Sequence, residues 1–266
     1  MQRKSSAWWM GAMLGAGTTL TLAGWTGHQI RAASDMNSGS RRPVLVELFT
    51  SEGCSTCPPA DILLEKLDKI QPISDAKVIV LSEHVNYWDH EGWHDPYSLD
   101  SVTDRQRWYG EKFNVEIYTP QAVVDGAAQV LGNDAKQLVN AVSAAVARPK
   151  EEIKIDNAVW TGDGVKFSVR VLDAAADQSK RELLAALAED ETETAVRSGE
   201  NAGKTLHNVA VVRVLKEISL GNEESITLRM PAKVGKSLTG PVRLVVFLAD
   251  KRSGNVLGVT EQAIAQ

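Results

Sequence analysis

Pro43-Val44-Leu45-Val46-Glu47-Leu48-Phe49-Thr50-Ser51-Glu52-Gly53-Cys54-Ser55-Thr56-Cys57-Pro58-Pro59-Ala60-Asp61 is the stretch on which the reading of this chain turns. Its first eight residues form an apolar, β-branched-rich run of the kind buried on both faces of a parallel sheet. Ala60, Leu63, Leu64 and Leu67 then recur at helical spacing. Between strand and helix lie Cys54 and Cys57, the only cysteines of the chain. A C-x-x-C on a strand–loop–helix unit points to a redox dithiol. Cys54, at the helix N-terminus, is the expected nucleophile, because unpaired N–H groups and the helix dipole favour a thiolate there. Cys57 shares its stripe with Ala60 and Leu64, so it is expected to face the core and to resolve a mixed disulfide. A stabilising disulfide and half of a zinc site are the alternatives. The first gains little from so short a loop, and the second lacks a partner C-x-x-C.

Working outward, Lys77–Val85 reads as a second buried strand, and Thr119-Pro120 opens a third. Asp125-Gly126 is a hairpin turn signal. Asn133 or Asp134 is placed to cap a helix carrying Leu138, Val142, Ala145 and Val146, which ends before Arg148-Pro149. This order of elements resembles the thioredoxin-like fold. That resemblance implies a cis Pro120 opposite the dithiol, with Thr119 offering its backbone to an extended substrate. It also implies a role for Glu47, since related oxidoreductases often keep a buried acid there to take the proton of the resolving cysteine. An outward-facing strand glutamate is the other reading of Glu47. Glu52, beside the motif, is expected to be solvated.

From Glu151 onward the pattern changes to short alternating strands: Ile153–Ile155, Val165–Val171, Ile226–Met230 and Arg243–Leu248. Thr161–Gly164 and Lys251–Asn255 supply turns, and Leu183–Leu187 reads as a further strand. The expected fold is therefore an α/β thioredoxin-like domain over 43–148 followed by an all-β antiparallel sandwich-like domain over 149–266.

The match extends to a family. Val46–Asp61, His84-Val85-Asn86-Tyr87-Trp88-Asp89, Tyr118-Thr119-Pro120-Gln121 and Gly199-Glu200-Asn201-Ala202-Gly203-Lys204-Thr205-Leu206 resemble the motifs of the domain of unknown function 1223 family, secreted thioredoxin-like bacterial proteins. The resemblance implies fold and export and no particular reaction. Ser55-Thr56 replaces the Gly-Pro of thioredoxin itself, so a redox potential does not carry over.

The N-terminus reads as an export signal: Arg3 and Lys4, then an uncharged stretch from Ser5 to Gln29, with cleavage expected after Ala32. An uncleaved N-terminal anchor is the alternative. Residues 33–42 read as a linker. Either way the folded part is expected to be periplasmic or secreted, where disulfides persist. Of 29 basic residues Arg3, Lys4 and Arg31 fall in the leader, so 26 face 34 acidic ones beyond it. That acidic balance excludes a general nucleic-acid binder, and leaves membrane contact to the N-terminal segment if uncleaved.

Asn86–Tyr118 holds eight of the twelve aromatics beyond the leader. Within it Arg105, Trp108, Tyr109 and Lys112 share a helical face after a Ser101 cap, which favours packing over a substrate groove. His84, His90 and His94 lie nearby. Copper or zinc held by Cys54, Cys57 and His84 is thus the alternative function, and a non-catalytic binding module is a third. Ser198–Thr205 imitates a phosphate loop but has serine where the first glycine belongs, and a strand follows instead of a helix. It is expected to be a polar loop touching the first domain. The leading expectation is a thiol–disulfide oxidoreductase acting on protein thiols or disulfides, with no cofactor and with oligomeric state left open.

Overall fold

Arg42–Thr50 forms β1, and its apolar run is buried from Val44 onward, as a central strand requires. The computed structural model describes residues 41–172, 177–220, 225–231, 238 and 240–266. The expected signal peptide and all but the end of the 33–42 linker lie outside these residues; Arg42 already belongs to the strand.

Pro58–Ile70 forms α1, with proline in its first turn, where the missing N–H costs nothing. Ala76–His84 forms β2, parallel to β1 with Thr50 beside His84. Asp100–Phe113 forms α2, entered from Leu99 and not capped at Ser101. Gln121–Val124 and Ala128–Leu131 form β3 and β4, a hairpin whose turn residues Asp125 and Gly126 both have positive φ. Aspartate and glycine suit that mirror-image turn. Ala135–Val146 forms α3, and its Asp134 cap accepts from the Gln137 N–H at 2.9 Å.

Two strands, β5 (Ile153–Trp160) and β6 (Gly164–Val171), pair with β9 (Ile226–Arg229) in a three-stranded sheet. The long pair β7 (Arg181–Ala195) and β8 (Thr205–Ile218), with β10 (Val242–Asp250) and β11 (Val256–Ile264), does not make a sandwich of its own. It continues the first sheet, giving one mixed eight-stranded sheet in the order β11-β10-β7-β8-β2-β1-β3-β4. The expectation of an α/β thioredoxin-like domain followed by an all-β antiparallel sandwich-like domain is overturned by this sheet. Its strands come from both segments, and among the described residues eleven strands stand against three α-helices. The physical reason lies at β2, which alternation leaves as an open edge. β8 docks there in parallel, with Ser82 beside Val211, and covers that edge.

The apolar core has two parts. One is built on β1, β2 and the helices and takes in Leu184, Ala186, Val245 and Phe247. The other lies between the three-stranded sheet and the opposite face of β7 and β10, through Phe167, Leu183, Leu187, Leu244 and Val246.

Candidate functional site

Strand β1 delivers Thr50 to a tight loop. The Cys54 N–H donates to the Ser51 carbonyl at 3.2 Å, and the Cys57 N–H to the Cys54 carbonyl at 3.2 Å. Cys57 is the residue before α1, and its carbonyl accepts from the Ala60 and Asp61 N–H groups at 2.8 and 3.1 Å. Gly53 sits closely against Trp88 here: a Cβ would come 3.1 Å from that of Trp88. Cys54 and Cys57 form a disulfide and are fully buried, while Ser55 and Thr56 are exposed.

The cover comes from the loop between β7 and β8. Buried Asn201 donates from Nδ2 to the carbonyls of Glu52 (2.8 Å) and Cys54 (2.9 Å), and Lys204 donates to its Oδ1 at 2.8 Å. Glu200 accepts from the Ser55 N–H at 3.0 Å, and Ser198 donates to the Gly92 carbonyl. The 198–205 loop thus touches the first segment, as expected, and does so at the dithiol loop itself.

Beneath the loop, on the α1 face of β1 and β2, lies a set of buried ionisable groups. The Thr50 hydroxyl donates to Asp61 Oδ1 at 2.8 Å. His84 Nδ1 meets Asp95 Oδ2 at 2.7 Å, and the same oxygen accepts from the Glu52 N–H at 2.7 Å. Trp93 donates its indole N–H to Glu52 at 2.9 Å, so Glu52 is buried and not solvated as expected. The aromatic insert supplies this partner. Burial pushes the Asp61 carboxyl up to about 7, with His84 and Thr50 pulling the other way. Burial, then the charge of Asp95, also raises Glu52. For His84 burial favours the neutral ring, yet the charge and hydrogen bond of Asp95 outweigh it and raise the pKa. Asp95 is correspondingly lowered, the His84 pairing overcoming burial. The second ring nitrogen, His84 Nε2, is buried without a partner.

Glu47 lies on the other face. Strand side chains alternate, so Glu47 and Thr50 point to opposite sides of β1. Glu47 is fully buried, ion-paired to Arg105 Nε and accepting from the Tyr109 hydroxyl at 2.7 Å, both on α2. Glu83 of β2, also buried, is held well above the usual carboxylate range by burial and then by the Glu47 charge. Arg105 is raised, the Glu47 charge outweighing burial. Arg105 and Tyr109 thus do share the inward face of the α2 helix.

The Thr119–Pro120 peptide is cis, and Thr119 Oγ1 accepts from the Trp88 indole at 2.8 Å. Trp88, whose Cβ lies close to Gly53, thereby links the Thr119 side chain to the dithiol loop. For the metal alternative, His84 Nδ1 is committed to Asp95, and among the described residues no three His, Cys, Asp or Glu side chains converge as ligands. His90 and the paired His94–Asp89 lie in the loop after β2.

Sequence reasoning did not foresee the roles of Asp61, Asp95 and Asn201. Asp61 carried a signal, being four residues past Cys57 and so on the same face of α1. The partners of Asp95 and Asn201 are set by how loops dock, which their stretches of sequence do not spell out.

The chain is similar to a crystal structure of protein AGR_C_4864 from Agrobacterium tumefaciens, with 26% identity over 82% of this chain and 92% of that one and a TM-score of 0.57. It also matches a domain of the outer membrane lipoprotein Omp28 from Porphyromonas gingivalis, with 19% identity over 44% of this chain and 88% of that one and a TM-score of 0.26. None of the curated proteins matches. A family model described as "Protein of unknown function (DUF1223)" matches residues 45–249, and the chain belongs to that family.

Proposed function

We infer that the protein performs thiol–disulfide exchange through Cys54 and Cys57, outside the cytoplasm, on cysteine-bearing polypeptides. The observation that carries this reading is the setting of the disulfide. Asp61, Glu52, His84 and Asp95 are buried beside its loop with shifted pKa values. A bond kept only for stability has no need of such neighbours, and closing so short a loop restrains the unfolded chain little. Sequence signals support the location, through Arg3, Lys4 and the uncharged stretch after them. Among the described residues no helix is long and apolar enough to cross a membrane.

In the forward step a substrate thiolate attacks Cys54 Sγ. A substrate–Cys54 disulfide forms, the Cys54–Cys57 bond breaks, and its electron pair leaves on Cys57 Sγ. Asp61, one turn along α1 from Cys57, gives its proton to that thiolate. A second thiolate of the substrate then attacks the substrate sulfur and releases Cys54 as a thiolate, which takes its proton from solvent. Two substrate thiols are oxidised to a disulfide, and the protein disulfide is reduced to a dithiol. Thr119 and Pro120 border the site across Trp88 as a second docking edge, while Glu47, held by Arg105, keeps α2 on the sheet.

Cysteine trapping tests the assignment. In Cys57→Ser the free Cys54 thiolate attacks a substrate disulfide in the reverse direction, expelling one substrate sulfur as a thiolate, and no Cys57 thiol is left to resolve the mixed disulfide. Covalent adducts with disulfide-bearing proteins should therefore accumulate on Cys54, and Cys54→Ser should give none. The absence of trapped species from both variants overturns it.

A further inference from the structure

A trough of about 550 Å³ runs along α1 and is walled on its other side by β7 and β8. It begins at Pro58, directly after Cys57, passes Asp61 and Ile62, and ends where Lys69 spans from α1 to Glu191 at 2.9 Å. From Pro58 to Lys69 the helix axis rises about 16 Å. That length matches about five residues of extended chain.

Its floor holds two buried polar atoms without a hydrogen-bond partner. Thr192 and Asn208 are cross-strand neighbours, directly opposite in the β7–β8 ladder and so on the same face. They are only 4% and 3% exposed, and both line the trough. Thr192 Oγ1 and Asn208 Nδ2 have no hydrogen-bond partner. A buried amide or hydroxyl left unpaired costs free energy, which a ligand supplying the missing partner recovers. The rim adds the apolar side chain of Ile62, half exposed, with Lys204 and His207 opposite.

We propose that this trough binds an extended, cysteine-bearing peptide segment, with a backbone carbonyl accepting from Asn208 Nδ2 and a backbone amide or carbonyl meeting Thr192 Oγ1. Its cysteine is thereby delivered to the Pro58 end, beside the disulfide. Backbone groups suit the floor because they offer both an acceptor and a donor at regular spacing. This assignment names the substrate site of the exchange reaction inferred above and rests on it.

The test uses the full chain in its disulfide form. The substrates are a short unstructured peptide with two cysteines and dithiothreitol, a dithiol too small to span the trough. Either is oxidised to its disulfide as the protein disulfide is reduced, one dithiol per protein molecule. Asn208→Ala, and Ile62→Trp at the exposed rim, should each slow reaction with the peptide about tenfold. Reaction with dithiothreitol should be unchanged. Equal peptide rates in wild type and both variants overturn the trough. A wild-type protein that oxidises neither dithiol overturns the exchange reading instead. Fluorescence anisotropy with the same peptide, serine replacing both cysteines, then decides the trough separately: binding weakened in both variants supports it, and no binding to wild type ends it.

Discussion

Two groups of buried acids lie one sheet thickness apart, and their difference separates a structural device from a chemical one. On the α2 face, Glu47 and Glu83 face Arg105, a cation that stays charged at any working pH, and Tyr109 completes the set. On the α1 face, Asp61, Glu52 and Asp95 have only His84 within the group, a cation that, unlike arginine, can give up its proton. The first cluster is fixed in charge. The second exchanges protons where a cell works, and it is the one beside the disulfide. Burial alone does not mark a site; a buried acid whose counter-ion can itself let go of a proton does.

Removing the fixed cation breaks that contrast most severely. Arg105→Met leaves Glu47 buried without a counter-charge and should lower unfolding free energy by about 3–5 kcal/mol, read by urea denaturation at neutral pH. Arg105→Met combined with Glu47→Leu should recover much of this loss, since both charges are then gone. If the single variant is as stable as wild type, the α2-face cluster is not the structural clamp described.

The α1-face cluster is sharpened by pH. Below about pH 4 Asp61 holds its proton in folded and unfolded chains alike. Between 3.8 and about 7 the unfolded chain has released that proton and the folded one has not, so stability falls as pH rises. Above 7 both are ionised and the penalty is constant. The slope from this one group is at most ~1.4 kcal/mol per pH unit. Asp61→Asn has no proton to release, so its stability relative to wild type should climb from about pH 4 to 7 and be level outside that window. Thr50, His84, Asp95 and Glu52 all face Asp61, and they remain in both proteins, which isolates its contribution. The exchange rate of the variant should also lose its step near pH 7. Parallel stability curves in urea at several pH values would falsify the assignment.

What the sequence made legible was local. The β1–loop–α1 unit, the Asp125-Gly126 turn and the Asp134 cap each follow from a few adjacent residues, and each is present. The joining of β8 to β2 was not legible, because the alternation of a strand says which face is buried but not which edge it pairs with. A thioredoxin-like domain with a separate sandwich was the natural reading of the same strands, and one parallel contact undid it. At the site, Cys54 and Cys57 stood out by residue type alone. Glu47 was ambiguous because its partner Arg105 lies far along the chain, and Glu52 was misread for the same reason, its partners Trp93 and Asp95 being contributed by the insert. Asp61 stands on the Cys57 face of α1, but its burial depends on what packs over that face, which local spacing does not state.

The smallest effect expected on stability bears most directly on how the closed site opens. Asn201 joins the β7–β8 loop to the dithiol loop by two hydrogen bonds from one amide, and the disulfide below has no exposed surface. Asn201→Ala leaves the Glu52 and Cys54 carbonyls to water at the loop edge, a loss of about 1 kcal/mol. Attack on Cys54 needs that edge to lift, so weakening it raises the share of time the sulfur is reachable by about fivefold for each such kcal/mol. Reduction of the disulfide by dithiothreitol should therefore be several-fold faster in Asn201→Ala than in wild type, while the equilibrium potential of the couple changes little. An unchanged rate would mean that the sulfur is reached by another route, and that the loop over it is cover for the α1-face acids and not a gate.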